Sequence, residues 1–146
     1  MSRLEAYGIS LQLPPGWEGS AFRHDGGEPT VHVASFRLPS RDGEFGTRAT
    51  GLMPLDGLFL AMTEYQVVDG ELGAGLFAGH RPRSLRAAEL GASTLLRPVA
   101  GQRGLQRFVS AANRAFCLYA VAGRDGERRL AAANSVLASL EIEPRS

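Results

Sequence analysis

Gly104-Leu-Gln-Arg-Phe-Val-Ser-Ala-Ala112, a turn at Asn113-Arg114, Ala115-Phe-Cys-Leu-Tyr-Ala-Val-Ala122, a helical pattern to Leu140, and then Glu141-Ile-Glu143: this run up to Pro144 decides the fold. Two apolar runs rich in strand-forming residues meet at an Asn-containing turn, which reads as a β-hairpin. Leu130, Ala133, Leu137 and Leu140 then recur at helical spacing beside Val136, so a helix with an apolar stripe follows. Asp125, ahead of Gly126-Glu127, is its expected N-cap. The small side chains of Leu130-Ala-Ala-Ala let that face press closely on a sheet. Glu141 to Glu143 returns as a short last strand.

Upstream, Thr94 to Val99 reads as a short strand, and Ser84 caps a short helix through Leu90 that Gly91 stops. Leu58 to Gln66 is apolar on both faces, the mark of a central strand covered on both sides. At the start of the chain, Tyr7, Ile9, Leu11 and Leu13 alternate with Gly8, Ser10 and Gln12, a half-buried strand ended by Pro14-Pro15-Gly16. Trp17 to His24 and Val31 to Leu38 flank the hairpin signal Asp25-Gly26-Gly27. The opening is therefore expected to be a three-strand meander. Residues 39–57 form either a long loop or a connection holding one short helix near Gly46–Leu52, and 67–79 is a glycine-rich connection. The expectation is a single domain over 1–146, of class α+β. Its centre is an antiparallel sheet of about six to seven strands with helices on both sides, an α/β/α sandwich.

The totals fit that class. A chain of 146 residues, 44% hydrophobic and 21% charged, can bury a core and is not of disordered composition. With 18 glycines and 8 prolines it is no helical bundle. Cys117 is the one cysteine, so no internal disulfide forms and a reducing compartment fits. No apolar run approaches the length needed to cross a bilayer, and the first residues carry no signal-peptide pattern; a cytoplasmic protein without membrane insertion is expected. The 16 basic residues are all arginine, as codon bias in a GC-rich genome would also produce. They are unevenly spread: residues 1–79 carry a net charge of −5, and 80–114 carry +6.

Two stretches carry a family resemblance. Ile9-Ser-Leu-Gln-Leu-Pro-Pro-Gly-Trp17 is an amphipathic strand running into Pro-Gly-Trp. Phe116-Cys-Leu-Tyr-Ala-Val precedes a helix with Asn134-Ser-Val-Leu-Ala-Ser-Leu-Glu-Ile142. Together they resemble the PsbP-like superfamily, which includes the photosystem II extrinsic subunit, a Ran-binding nuclear import factor and mycobacterial LpqN lipoproteins. Small actinobacterial proteins share the pattern most closely. The resemblance implies a central antiparallel sheet with helices on both sides and a role in binding proteins, lipids or small ligands. It supplies no catalytic residue. The lipobox cysteine of the lipoproteins has no counterpart here.

Chemistry is sparse. His24, His32 and His80 show no metal-ligand spacing, and Cys117 belongs to no Cys-x-x-Cys pair, so neither metal nor cofactor is expected. Cys117 lies inside a strand pattern, where a cysteine acts as a small hydrophobe. No nucleophile elbow, phosphate loop or dinucleotide fingerprint occurs. The candidates that stand out are the arginines Arg81, Arg83, Arg97, Arg103, Arg107 and Arg114. They make either a face for an anionic partner or a set of surface charges paired with the acidic first half. Little aromatic interleaving and a near-neutral net charge argue against nucleic acid. Trp17 and Tyr119 are candidates to line a pocket between sheet and helix, or else core. The expected function is a non-catalytic binding or adaptor domain for a protein partner, acidic in character, with homo-oligomers open. The alternative is a small-molecule or lipid carrier with a cavity between sheet and helix. An enzyme with a dispersed site stands last.

Overall fold

The hairpin Arg103–Ala111 (β6) and Arg114–Ala122 (β7) forms as expected, with Ala111 opposite Arg114. The two turn residues are therefore Ala112 and Asn113, one residue earlier than the sequence pattern indicates. Both have positive φ, 52° and 60°, as the tight hairpin turn that matches strand twist demands. The computed structural model describes residues 2–66, 84–92, 95 and 99–144. The expected strand at 94–99, the connection at 67–80, and Arg81, Arg83 and Arg97 fall wholly or mostly outside them.

Six further strands complete the described strand set: Ser2–Ala6 (β1), Ile9–Leu13 (β2), Glu18–Phe22 (β3), Thr30–Ala34 (β4), Leu58–Tyr65 (β5) and Glu141–Ile142 (β8). The class is α+β with antiparallel sheets. A single sheet of six to seven strands is not what forms. The strands divide into a five-stranded sheet, β3-β4-β5-β7-β6, and a three-stranded sheet, β1-β2-β8. The expected meander is split: β2 pairs with β1 and β8, whereas β3 pairs with β4. The turn at Pro14-Pro15-Gly16, closed by Trp17 N–H donating to the Pro14 carbonyl at 3.1 Å, carries the chain from one sheet to the other.

β5 is central, paired with β4 and β7, and seven of its eight residues are buried. Its two faces serve two cores. One core holds Leu58, Leu60, Met62, Phe116 and Leu118 against Ile9, Leu11 and Leu13 of the small sheet and against the helix Leu130–Ser139 (α2), through Ala133, Val136 and Leu137. The small sheet thus shares with α2 a layer that was expected to be helical alone. The other core holds Phe59, Ala61, Tyr119 and Val121 under Phe45, Met53 and the short helix Thr47–Leu52 (α1), which forms where the sequence allowed one. Asp125 makes no side-chain cap. A 3-10 turn, Gly126–Arg129, leads into α2 instead. The expected helix at 84–90 is a 3-10 turn, Ala87–Glu89, capped by Glu89 Oε1 accepting from Arg86 N–H at 3.0 Å. Among the described residues no helix is long and apolar enough to cross a membrane.

Candidate functional site

Residues 35–46 leave the end of β4 and are tied back over the second face of the large sheet. Leu58 N–H donates to Ser35 Oγ at 3.0 Å, and Leu38 N–H to Glu18 Oε1 at 2.9 Å. The Asp42 carboxylate accepts from Gly43 N–H at 2.8 Å, Arg48 N–H at 3.0 Å and Ala49 N–H at 2.8 Å. It thereby caps α1 from outside the helix, favourably placed at the positive end of its dipole. Gly46, the residue before α1, has φ 65°, and a Cβ there would lie 2.1 Å from Phe59 Cζ. Only glycine lets the loop descend this close to the core.

The pinned loop leaves a cleft of about 450 Å³ between itself and the β3 edge. Strand register explains its lining. Ser20 lies opposite His32 and Phe22 opposite Thr30, so Ser20, Phe22 and His32 share the face that the loop overhangs. Phe22 meets His24 edge-on at 5.1 Å and His32 at 4.9 Å, and His32 meets Phe59 at 5.0 Å, a file of rings running into the core. Leu38 and Pro39 form the facing wall, with Ser40 and Arg41 beside them.

His32 is 2% exposed, and its Nε2 lies 2.9 Å from the Glu44 carbonyl oxygen. A carbonyl only accepts, so Nε2 carries the proton and Nδ1 a lone pair. Burial holds the imidazole pKa below its ordinary 6.5, against the smaller opposing pull of the Glu44 carbonyl. Arg23 donates through Nε to the Gly27 carbonyl at 2.7 Å, and its two terminal nitrogens have no partner among the described residues. The Arg41 guanidinium has none either. Among the described residues the one carboxylate lining the cleft is that of Asp42, already engaged by three backbone amides.

The arginines singled out in the sequence are placed differently. Arg103 pairs with Glu127, and Arg107 with Glu89 and, at 3.3 Å, the Ser84 carbonyl. Arg114 is not on a surface. Its guanidinium is 3% exposed and grips the Glu64 carboxylate through Nε at 3.0 Å and Nη2 at 2.7 Å. Its Nη1 donates to the Glu143 carbonyl at 2.9 Å, and the group lies 5.5 Å from the centre of the Phe116 ring. A second cleft of about 360 Å³ opens beside Arg114, between Tyr7, Arg23 and Glu143.

Trp17 and Tyr119 belong to different cores. Trp17 packs against the core under α2, and Tyr119 sits on the opposite sheet face, meeting Phe45 edge-on at 5.8 Å. The space between sheet and α2, lined by Leu11, Leu60, Leu118 and Val136, is about 20 Å³, room for little more than one water. The Cys117 thiol is buried, which raises its pKa, and Sγ accepts from Gln106 Nε2 at 3.4 Å. Among the described residues no group of three His, Cys, Asp or Glu side chains could hold a metal. Comparison with protein-family models, curated proteins and solved structures finds no match for the chain.

Sequence reading passes over the cleft because its parts come from three separate stretches. A signal exists in the period of two along Ser20, Phe22 and His24. It becomes legible once the hairpin register sets these residues against His32.

Proposed function

We propose that the chain is a binding domain for an anionic ligand, and that it binds in the cleft between β3 and residues 38–42. One observation carries this reading. The cleft brings together two arginines whose terminal nitrogens have no partner among the described residues, while the Asp42 carboxylate that lines it is spent on backbone amides. Arg103, Arg107 and Arg114 each hold an internal carboxylate, so their charge is already answered within the fold. The PsbP-like resemblance, which implies binding rather than catalysis, points the same way. The space of about 20 Å³ under α2 gives the carrier alternative less support than the larger cleft gives this reading.

Amide NMR of the labelled chain tests the reading, during titration with pyrophosphate and, separately, with hexaglutamate. Shifts should cluster at residues 20–24 and 38–42, weaken between about 0.05 and 0.5 M salt as exposed charges are screened, and vanish in the Arg23→Gln/Arg41→Gln double variant. Hexaglutamate binding more tightly than pyrophosphate would assign an adaptor role toward an acidic protein. Shifts centred on Arg103 and Arg107, or none at all, would overturn the proposal.

A further inference from the structure

We infer that the ligand is a small organic anion with a flat unsaturated ring, bound ring-first with its carboxylate or phosphate at the mouth of the cleft. The inference rests on the binding role proposed above and specifies its chemistry. The volume, about 450 Å³, lies in the range of small-molecule pockets, roughly 300–1,000 Å³.

Polarity is graded from floor to rim. At the floor, His32 is buried, and its protonated nitrogen is fixed on the Glu44 carbonyl. The remaining ring nitrogen is a lone-pair acceptor, which repels an anion but tolerates a ring edge, whose hydrogens are the positive side of the quadrupole. Phe22 and the His24 imidazole on one wall and Leu38 and Pro39 on the other leave a slot walled by rings and aliphatic carbon. At the rim, Arg23 and Arg41 are exposed; Arg41 lines this cleft, and Arg23 lines both it and the second cleft beside Arg114. A planar guanidinium matches a carboxylate or phosphate in a two-point fork. Ser20 and Ser40, also at the rim, add hydroxyl donors. An anion without a ring would leave the aromatic wall unused, and a ring without a charge would leave the arginines unanswered.

The experiment is calorimetric titration of the full chain with phenyl phosphate, benzoate, inorganic phosphate and benzylamine, repeated in Arg23→Gln and Arg41→Gln. Both arginines are exposed, so the variants should fold; their melting curves check this. Phenyl phosphate or benzoate should bind at least about tenfold more tightly than inorganic phosphate. Each arginine variant should weaken that binding about tenfold, the effect of one charge-assisted hydrogen bond. Comparing the two ring anions tells a carboxylate ligand from a phosphate one. Inorganic phosphate binding as tightly as phenyl phosphate, and losing affinity in the variants, would overturn the ring inference while leaving the anion-binding role in place. Benzylamine binding as well as benzoate, or no binding by any probe, would sink both.

Discussion

Replacing Arg114 with methionine removes the counter-charge of a carboxylate that is 2% exposed. Met keeps most of the aliphatic stem but not the guanidinium, which lies 5.5 Å from the centre of the Phe116 ring. The loss is electrostatic. Glu64 stays buried between β5 and β7 with two of its hydrogen bonds gone, and the Glu143 carbonyl loses its donor. Breaking a buried pair from one side costs about 3–5 kcal/mol, because the surviving charge loses the cation that offset its removal from water. For a chain of this size each kcal/mol moves the melting midpoint by about 2–4 °C, so Arg114→Met should melt roughly 6–20 °C below the parent. The double variant Arg114→Met/Glu64→Leu removes both charges and should recover most of that loss, since well-packed apolar replacements of buried pairs are often neutral. Urea unfolding of the parent, both single variants and the double variant completes the cycle. A single variant within about 1 kcal/mol of the parent would refute the assignment of Arg114 as a buried structural cation. A double variant losing the sum of the two singles would refute it as well.

Three further outcomes are expected. Burial lowers the pKa of His32 below 6.5, so the unfolded chain takes up the proton first. The stabilisation is whole above about pH 6.5 and drains as pH falls toward the folded-state value, by at most about 1.4 kcal/mol per pH unit. His32→Gln, which can still donate to the Glu44 carbonyl, should flatten the drop in urea midpoint between pH 7.5 and 5.5, and an unchanged slope would refute this. Cys117, buried and with its thiol pKa raised, should react with an aromatic disulfide reagent only at the rate of unfolding; fast stoichiometric labelling of the native chain would refute it. Ala112 sits at φ 52°, a region costing an ordinary L-residue about 1–2 kcal/mol. Ala112→Gly should therefore raise the urea midpoint, and a lowered one would contradict the turn geometry.

Local pattern told most where the structure depends on neighbours in sequence. The β6-β7 hairpin, the doubly covered β5 and the stripe of α2 each follow from spacing within about twenty residues. What escaped the sequence depends on pairings between distant segments. β1 is short, with Leu4 and Ala6 half-buried between the exposed Arg3 and Glu5, an alternation too brief to mark a strand by itself. Its existence depends on β2 lying beside it. The meander expectation assumes that consecutive strands pair, and the Pro14-Pro15 turn sends β3 to a different sheet from β2. The arginines give the same lesson at the site. Arg114 and Glu64 are fifty residues apart, and nothing in either neighbourhood announces the other. A charge count along the chain sees a basic segment, whereas the fold has already neutralised those arginines of the segment that are described and named above, and leaves Arg23 and Arg41 in the acidic half.

The small sheet has a temporal consequence. Ile9 and Ser10 of β2 find their second partner only at Ile142 and Glu141, and Glu143 N–H closes on the Gly8 carbonyl at 2.8 Å. During synthesis at about 5–20 residues per second, β2 therefore waits on the order of 10 s with one edge open after it emerges. Through that interval its row of unpaired amides is available to any extended chain nearby. A nascent chain halted before Glu141 should be sticky in a way the finished protein is not.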